Sequence, residues 1–283
     1  MNLISFDIGI KHLAYCIIHF ENDIVSIKEW NVVNLCNEPY LCQMKLEGDN
    51  ANGTCDKEAK YCKHETYYCK KHIKHLPYSI MPKGFCDKSI KKMKLDDLTI
   101  FCKSTDIEFQ KPYTKNSLLD KIHNYKSEYF LEEIKTKNAS QYDLIYLGIQ
   151  IKEKLNTILQ LQQNTYKIDI AIIENQISPI ANRMKTIQGM LAQYLIMNNL
   201  HNIIFYSASN KLKIFTNDKE KTTYNQRKKM SIQYTQQLIE EYTPIQSWSN
   251  YFNKHKKKDD LADCFLQGLS YLIQKQNCKI IEL

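Results

Sequence analysis

Glycine and proline are scarce in this chain of 283 residues, with seven Gly and six Pro. That excludes a collagenous chain, a linker array and a Gly-rich phosphate-loop machine. Arginine is scarcer still. Of the 39 basic residues only Arg183 and Arg227 are Arg, so the net charge of +8 is a lysine charge. No apolar run approaches bilayer-spanning length, so no membrane partner is expected. The opening stretch Met1 to Asp7 lacks a basic n-region and meets an acid by its seventh residue. No export signal is expected there, which implies a soluble, intracellular protein with its ten Cys reduced. A hydrophobic content of 43% is enough to build a core.

The lysine surplus has two explanations, AT-rich coding or a polyanionic partner. Its distribution is uneven. Residues 1–41 balance at −3, 42–103 at +5, 104–200 at +1 and 201–283 at +5. The surplus therefore lies in a Cys-bearing segment and in the C-terminal third.

Apolar runs at Leu3 to Phe6, Leu13 to Phe20 and Ile24 to Val33 predict three antiparallel strands. Residues 35–103 hold seven of the ten Cys and read as an inserted, loop-rich module. Helical periodicity covers 116–135 and 139–163. Ile168 to Ile173 predicts a buried central strand, followed by a helix over Asn182 to Asn198 and a strand over Asn202 to Ser207. Helices over Thr222 to Tyr242 and Asp259 to Gln274 complete the order. This predicts an α/β fold with a mixed five-stranded sheet flanked by helices. The domain division is 1–34 and 104–283 for the main domain, with 35–103 inserted after the third strand.

Three carboxylate placements stand out. Asp7 ends the first strand and Glu174 ends the buried one. Asp260 and Asp263 lie one turn apart on the last helix. An acid at the edge of a core needs a partner. Carboxylates in this arrangement suit Mg²⁺, and paired ions serve phosphodiester hydrolysis. The alternative is ordinary: solvated surface acids, with Asp259 and Asp260 capping a helix.

Four blocks now accumulate in order: Ser5-Phe6-Asp7-Ile8-Gly9-Ile10-Lys11, Ile173-Glu174-Asn175-Gln176, the stretch Arg183 to Met190, and Lys257 to Asp263. Together they resemble the motifs of the Holliday junction resolvases of poxviruses and other large DNA viruses. Those enzymes are relatives of bacterial RuvC and the mitochondrial resolvases and have a ribonuclease H-like fold. The segment Ser207 to Lys213 fits as well. The resemblance covers the chain outside the insertion. It implies a Mg²⁺-dependent endonuclease, with Mn²⁺ able to substitute, that acts as a homodimer on four-way junction DNA. It also implies that Asp7, Glu174, Asp260 and Asp263 are the metal-binding catalytic acids. Lys11, Arg183, Lys185, Lys211, Lys213, Arg227, Lys228 and Lys258 would face phosphates. His12 departs from the pattern, where relatives more often carry Asn. A viral enzyme of this kind would work in the host cytoplasm or nucleus.

In the insertion, Cys69-Lys70-Lys71-His72 has the ligand spacing of a zinc knuckle. Cys42 and Cys55 complete a Cys₃His set for structural Zn²⁺. Cys36, Cys62, His64, His75, Cys86 and Cys102 are possible replacements. Cys16, Cys264 and Cys278 read as core thiols. Two other functions share these features: a ribonuclease H-like nuclease acting on hybrids or flaps, and a non-catalytic zinc-containing nucleic-acid-binding protein.

Overall fold

The computed structural model describes residues 1–46, 53–82, 86–135, 137–163, 167–176, 182–212, 223–276 and 278. The chain forms two compact units, Met1–Asn37 with Lys137–Leu283, and Glu38–Thr136. The first unit opens with strands β1 (Asn2–Ile8), β2 (His12–Glu21) and β3 (Ile24–Asn34). The second holds β4 (Tyr61–Lys63), β5 (Thr66–Tyr68), β6 (Ser79–Ile80), helices α1 (Asp87–Lys92), α2 (Leu95–Ser104) and α3 (Lys115–Tyr129), and strand β7 (Phe130–Glu133). The first then resumes with α4 (Leu144–Gln163), β8 (Ile170–Glu174), α5 (Asn182–Met197) and β9 (Ile203–Tyr206). Helices α6 (Tyr224–Glu241), α7 (Ser249–Lys254) and α8 (Lys258–Gln276) close it.

The first unit is built on a mixed five-stranded sheet in the order β3-β2-β1-β8-β9. Its first three strands are antiparallel, and β8 and β9 run parallel to β1. The pleat sends alternate residues to opposite faces. Leu3, Cys16 and Ile18 join Leu238, Phe252, Leu261 and Phe265 from α6, α7 and α8 in one core. Ile4, Phe6 and Leu13 join Leu147, Leu155, Ile187 and Leu191 from α4 and α5 in the other. Helices on both faces explain why Ile170 to Ile173 is uninterrupted apolar sequence. Cys16, Cys264 and Cys278 are buried thiols, as expected.

Helix α8 sits unusually close to the sheet. A Cβ on Gly268 would come within 2.8 Å of Ile18 Cδ1 and 3.1 Å of Ser5 Cβ. The neighbouring Gln267, fully buried, donates to Ser5 Oγ at 3.1 Å and to the Phe6 carbonyl at 3.0 Å. Trp30 Nε1 donates to the Leu261 carbonyl at 2.9 Å. Together these fix the helix against β1 and β3. Replacing Gly268 with Val overpacks this contact and is expected to cost about 1–3 kcal/mol, read as a lower urea midpoint with unchanged slope.

Two helix boundaries differ from the periodicity. The helix expected over 139–163 begins at Leu144 because Asp143 caps it, accepting from the Ile145 amide at 2.9 Å. Residues 139–141 form a separate 3₁₀ turn. The helix expected over 116–135 stops at Tyr129. Its next four residues are strand β7, which pairs with both β4 and β6. Lys63 donates to the Ser127 and Phe130 carbonyls and so satisfies the frayed helix end. Nearby in the first unit, the Asn37 amide donates to the Tyr142 hydroxyl at 3.2 Å, and Tyr146 donates to Asn37 Oδ1.

The second unit is less loop-rich than the sequence suggests. Helices α1, α2 and α3 share a core of Ile90, Leu98, Cys102, Leu118 and Ile122. Because α3 packs into it, the unit ends at Thr136 rather than at residue 103. A four-stranded sheet in the order β5-β4-β7-β6 lies beside a smaller cluster of Tyr68, Ile73 and Leu131. Among the described residues, no helix is long and apolar enough to cross a membrane.

Candidate functional site

Parallel pairing of β1 and β8 sets Phe6 opposite Ile173, so Asp7 and Glu174 emerge side by side from adjacent strands. The close seat of α8 brings its first turns, with Asp260 and Asp263, to the same end of the sheet. At the centre lies Lys211, just beyond the 3₁₀ turn Ala208–Asn210 that follows β9. Its Nζ donates to Glu174 Oε1 at 3.1 Å and Asp7 Oδ1 at 3.3 Å, with Asp263 Oδ2 at 3.8 Å. Lys211 is only 5% exposed. Ser270 anchors the preceding turn by donating to the Asn210 carbonyl at 2.8 Å.

Asp260 faces a different set of partners. Lys257 Nζ lies 3.0 Å and Lys228 Nζ 3.9 Å from its carboxylate, and His12 Nδ1 lies at 3.8 Å. Asp259 is bound by Lys228 at 2.6 Å and approached by Lys257 at 3.4 Å. Asp259 is therefore engaged by lysines and stands apart from Lys211.

Burial raises Glu174 to about 7; Lys211 opposes that shift and Asp7 adds to it. Asp263 and Asp260 are also raised, chiefly by burial. Burial works against the Lys211 ammonium, but Asp7, Asp263 and Glu174 overcome it and hold the group above the ordinary lysine range. His12 is lowered by burial and by Lys257.

The proposed phosphate contacts divide. Lys11, Lys185 and Arg227 are exposed, and Lys258 is half-buried at the start of α8. Three others have partners within the protein. Lys211 is enclosed by carboxylates, which a buried ammonium requires. Lys228 is committed to Asp259. Arg183 donates to the Tyr142 carbonyl within its own unit. Lys213 lies outside the described residues. Two residues of the quoted blocks acquire a role that their spacing does not reveal. Gln176 donates to Glu174 Oε2 at 2.9 Å, and Gln188 accepts from the Gln176 amide at 2.9 Å. They brace the outer oxygen of Glu174. Lys257 likewise acts on Asp260, and nothing in the run Lys256 to Lys258 singles it out.

In the second unit, Cys42, Cys55, Cys69 and His72 place their ligand atoms within 4.8 Å of one another. Cys42 Sγ lies 3.3 Å and Cys69 Sγ 3.7 Å from His72 Nδ1, and the Cys55 and Cys69 sulfurs are 3.9 Å apart. Four ligands at Zn–S and Zn–N lengths of about 2.3 and 2.0 Å would lie roughly 3.5–3.8 Å apart in a tetrahedron. The donor set therefore fits a closed Cys₃His zinc site. Backbone pairing builds it: the Cys42 amide donates to Lys57 and the Cys55 amide to Met44, while His72 closes a turn on Cys69. Of the alternative ligands, Cys36 and Cys102 are buried in separate apolar cores.

Residues 128–275 match the family model described as Poxvirus A22 protein. Uncharacterized protein L451 of Acanthamoeba polyphaga mimivirus is 30% identical over 320 residues, covering 96% of this chain and 74% of that one. The Holliday junction resolvase of Fowlpox virus (strain NVSL) is 32% identical over 118 residues, covering 41% of this chain and 65% of that one. Among solved structures, the Fowlpox virus resolvase with substrate Holliday junction DNA aligns with a TM-score of 0.42 and 16% identity, over 96% of this chain and 97% of that one. The yeast mitochondrial Holliday junction resolvase Ydc2 aligns with a TM-score of 0.39 and 14% identity, over 95% and 78%.

Proposed function

We propose, from the premise that the chain belongs to the Poxvirus A22 protein family, that it is a divalent-metal-dependent endonuclease that resolves four-way DNA junctions. The observation that carries this is the convergence of Asp7, Glu174 and Asp263, from two strands and a helix, on one buried point. A ribonuclease H-like architecture is the finer fold we assign to the mixed sheet and its flanking helices.

Carboxylate oxygens are hard donors, so Asp7, Glu174, Asp260 and Asp263 fit Mg²⁺, with Mn²⁺ as a substitute. Bound there, Mg²⁺ would supply a nucleophilic water at neutral pH and charge for the leaving oxygen. The chain's own residues set the stage. Gln176 holds one Glu174 oxygen and leaves the other turned inward. Lys257 and Lys228 offset the charge of the first turn of α8. Exposed Lys11, Lys185 and Arg227, with Lys258, provide cations for the DNA backbone. The Cys₃His set takes structural Zn²⁺.

Protons must leave as ions enter. Glu174 is raised from 4.5 to about 7, so between those values the folded protein carries a proton that the unfolded chain lacks. This group's contribution to stability therefore declines as pH rises through that window. An incoming cation displaces the same proton. Mn²⁺ binding is expected to weaken about fivefold between pH 7 and pH 6, with proton release visible by calorimetry in buffers of different ionisation enthalpy.

A junction has two-fold symmetry and needs two incisions, which suits a C₂ homodimer. Ile145 and Ile149, one turn apart on α4, are 71% and 48% exposed and offer an apolar face to a second copy. Replacing both with Glu is expected to convert a dimer to a monomer in light scattering and to uncouple the two cuts.

The decisive experiment incubates the protein with a labelled four-way junction and, separately, with an RNA–DNA hybrid, with and without Mg²⁺. Paired symmetric cuts in the junction are expected only with Mg²⁺. Equal cutting of the hybrid would overturn the assignment in favour of a general nuclease, and no cutting of either would leave a binding protein.

A further inference from the structure

The geometry points to a second role for the centre of this site: Lys211 is the resident counter-ion of the acid cluster, and a divalent ion can load only by expelling its ammonium. The inference rests on the nuclease reading above but concerns how the site is armed. Lys211 Nζ sits 3.1 Å from Glu174, 3.3 Å from Asp7 and 3.8 Å from Asp263. A cation shared by those oxygens would occupy nearly the same point. The flanking carboxylates are themselves only 15–20% exposed, so water provides little screening between two cations held there. One must leave, and the ammonium is on a flexible four-carbon stem.

The rest of the site stays in place while the ammonium moves. The Asn210 carbonyl is tied to Ser270, so the backbone at the base of the lysine is anchored. Glu174 is braced by Gln176, and α8 is fixed through Gln267. Only the side chain of Lys211 needs a second position. In its resident position the lysine offsets part of the repulsion among three acids, and among the described residues it is the lysine that forms an ion pair with each of them. Lys228 and Lys257 are spent on Asp259 and Asp260. The arrangement keeps the site assembled without an ion and sets the ion concentration at which it arms.

Two measurements on the full, zinc-loaded chain test this. The first is amine acetylation read by mass spectrometry, with exposed Lys185 as the internal standard. Lys211 is expected to be protected without Mn²⁺ and to label at least ~5-fold faster at saturating Mn²⁺. The second is Mn²⁺ affinity by electron paramagnetic resonance. Lys211→Met is expected to bind at least ~10-fold more tightly than the wild type, and Lys211→Arg no more tightly, since removing a like charge favours the ion. Should the methionine variant not fold, the labelling result on the wild type decides alone. Mn²⁺ that binds while Lys211 stays protected overturns this inference and leaves the nuclease assignment intact. Absence of any Mn²⁺ binding overturns both.

Discussion

Glu174→Gln is expected to lower junction cleavage by about 10³-fold or more while leaving the protein folded. The substitution is isosteric and keeps an oxygen able to accept from Gln176. Lys211 retains Asp7 and Asp263. Burial already disfavours the ionised form of Glu174, so a neutral amide costs little stability at neutral pH. What disappears is the inward carboxylate oxygen, and with it charge that balances an ion on the reacting phosphate. A contribution of this type is worth several kcal/mol in the transition state, which is the source of the estimate. The check pairs single-turnover cleavage with a thermal melt. A variant that melts normally and still cuts at the wild-type rate would remove Glu174 from the chemistry.

Cys69→Ser, or removal of zinc by a chelator, is expected to unfold the region around β4 and β5. Cys69 touches both Cys55 and His72, so its loss opens the tetrahedron from two sides. Among the described residues, the apolar cluster beside it has only Tyr68, Ile73 and Leu131 buried, too little to hold short strands alone. Metal affinity in such sites is folding energy, with apparent values of about 10–16 kcal/mol in isolated zinc-finger peptides. Amide exchange at Tyr67 and Tyr68 is expected to accelerate by at least ~100-fold, and bound zinc to fall from one per chain to none. Helices α1 to α3 have their own core and are expected to keep their protection. Unchanged exchange after verified zinc loss would show that the cluster is dispensable for folding.

The strands β1 to β3 and β8 were legible because each combines β-branched runs with a clear polar stop. Asp7 and Glu174 were legible in sequence because each closes such a run, and Asp260 and Asp263 because they lie one turn apart on the last helix. The environment of a lysine was not. Lys211 and Lys228 look like any other lysine in a lysine-rich chain, and only the tertiary fold shows that they face carboxylates. The rarity of Arg183 says nothing about where its guanidinium points, and in the structure it donates to the Tyr142 carbonyl. The end of α3 was hidden for a related reason. Phe130 to Glu133 continue a helical pattern locally, but pairing with Tyr61 and Cys62 outweighs it. Gln267 and Gly268 gave no sign in sequence that they set the distance between strand β1 and helix α8, the elements that carry Asp7, Asp260 and Asp263. For the zinc set, the sequence named Cys42, Cys55, Cys69 and His72 among a surplus of thiols, and the backbone pairing of Cys42 with Lys57 and of Cys55 with Met44 is what brings those four together.

The clasp of Asn37 by Tyr142 and Tyr146 has a further consequence. It staples the two shores of a gap in the main unit, so strand β3 and helix α4 hold each other whether or not anything bridges them through the intervening hundred or so residues. Closing a longer or shorter excursion between stapled shores changes the entropy only logarithmically. The excursion can therefore lengthen, shrink or be exchanged for another without tugging on the strands that carry the acids.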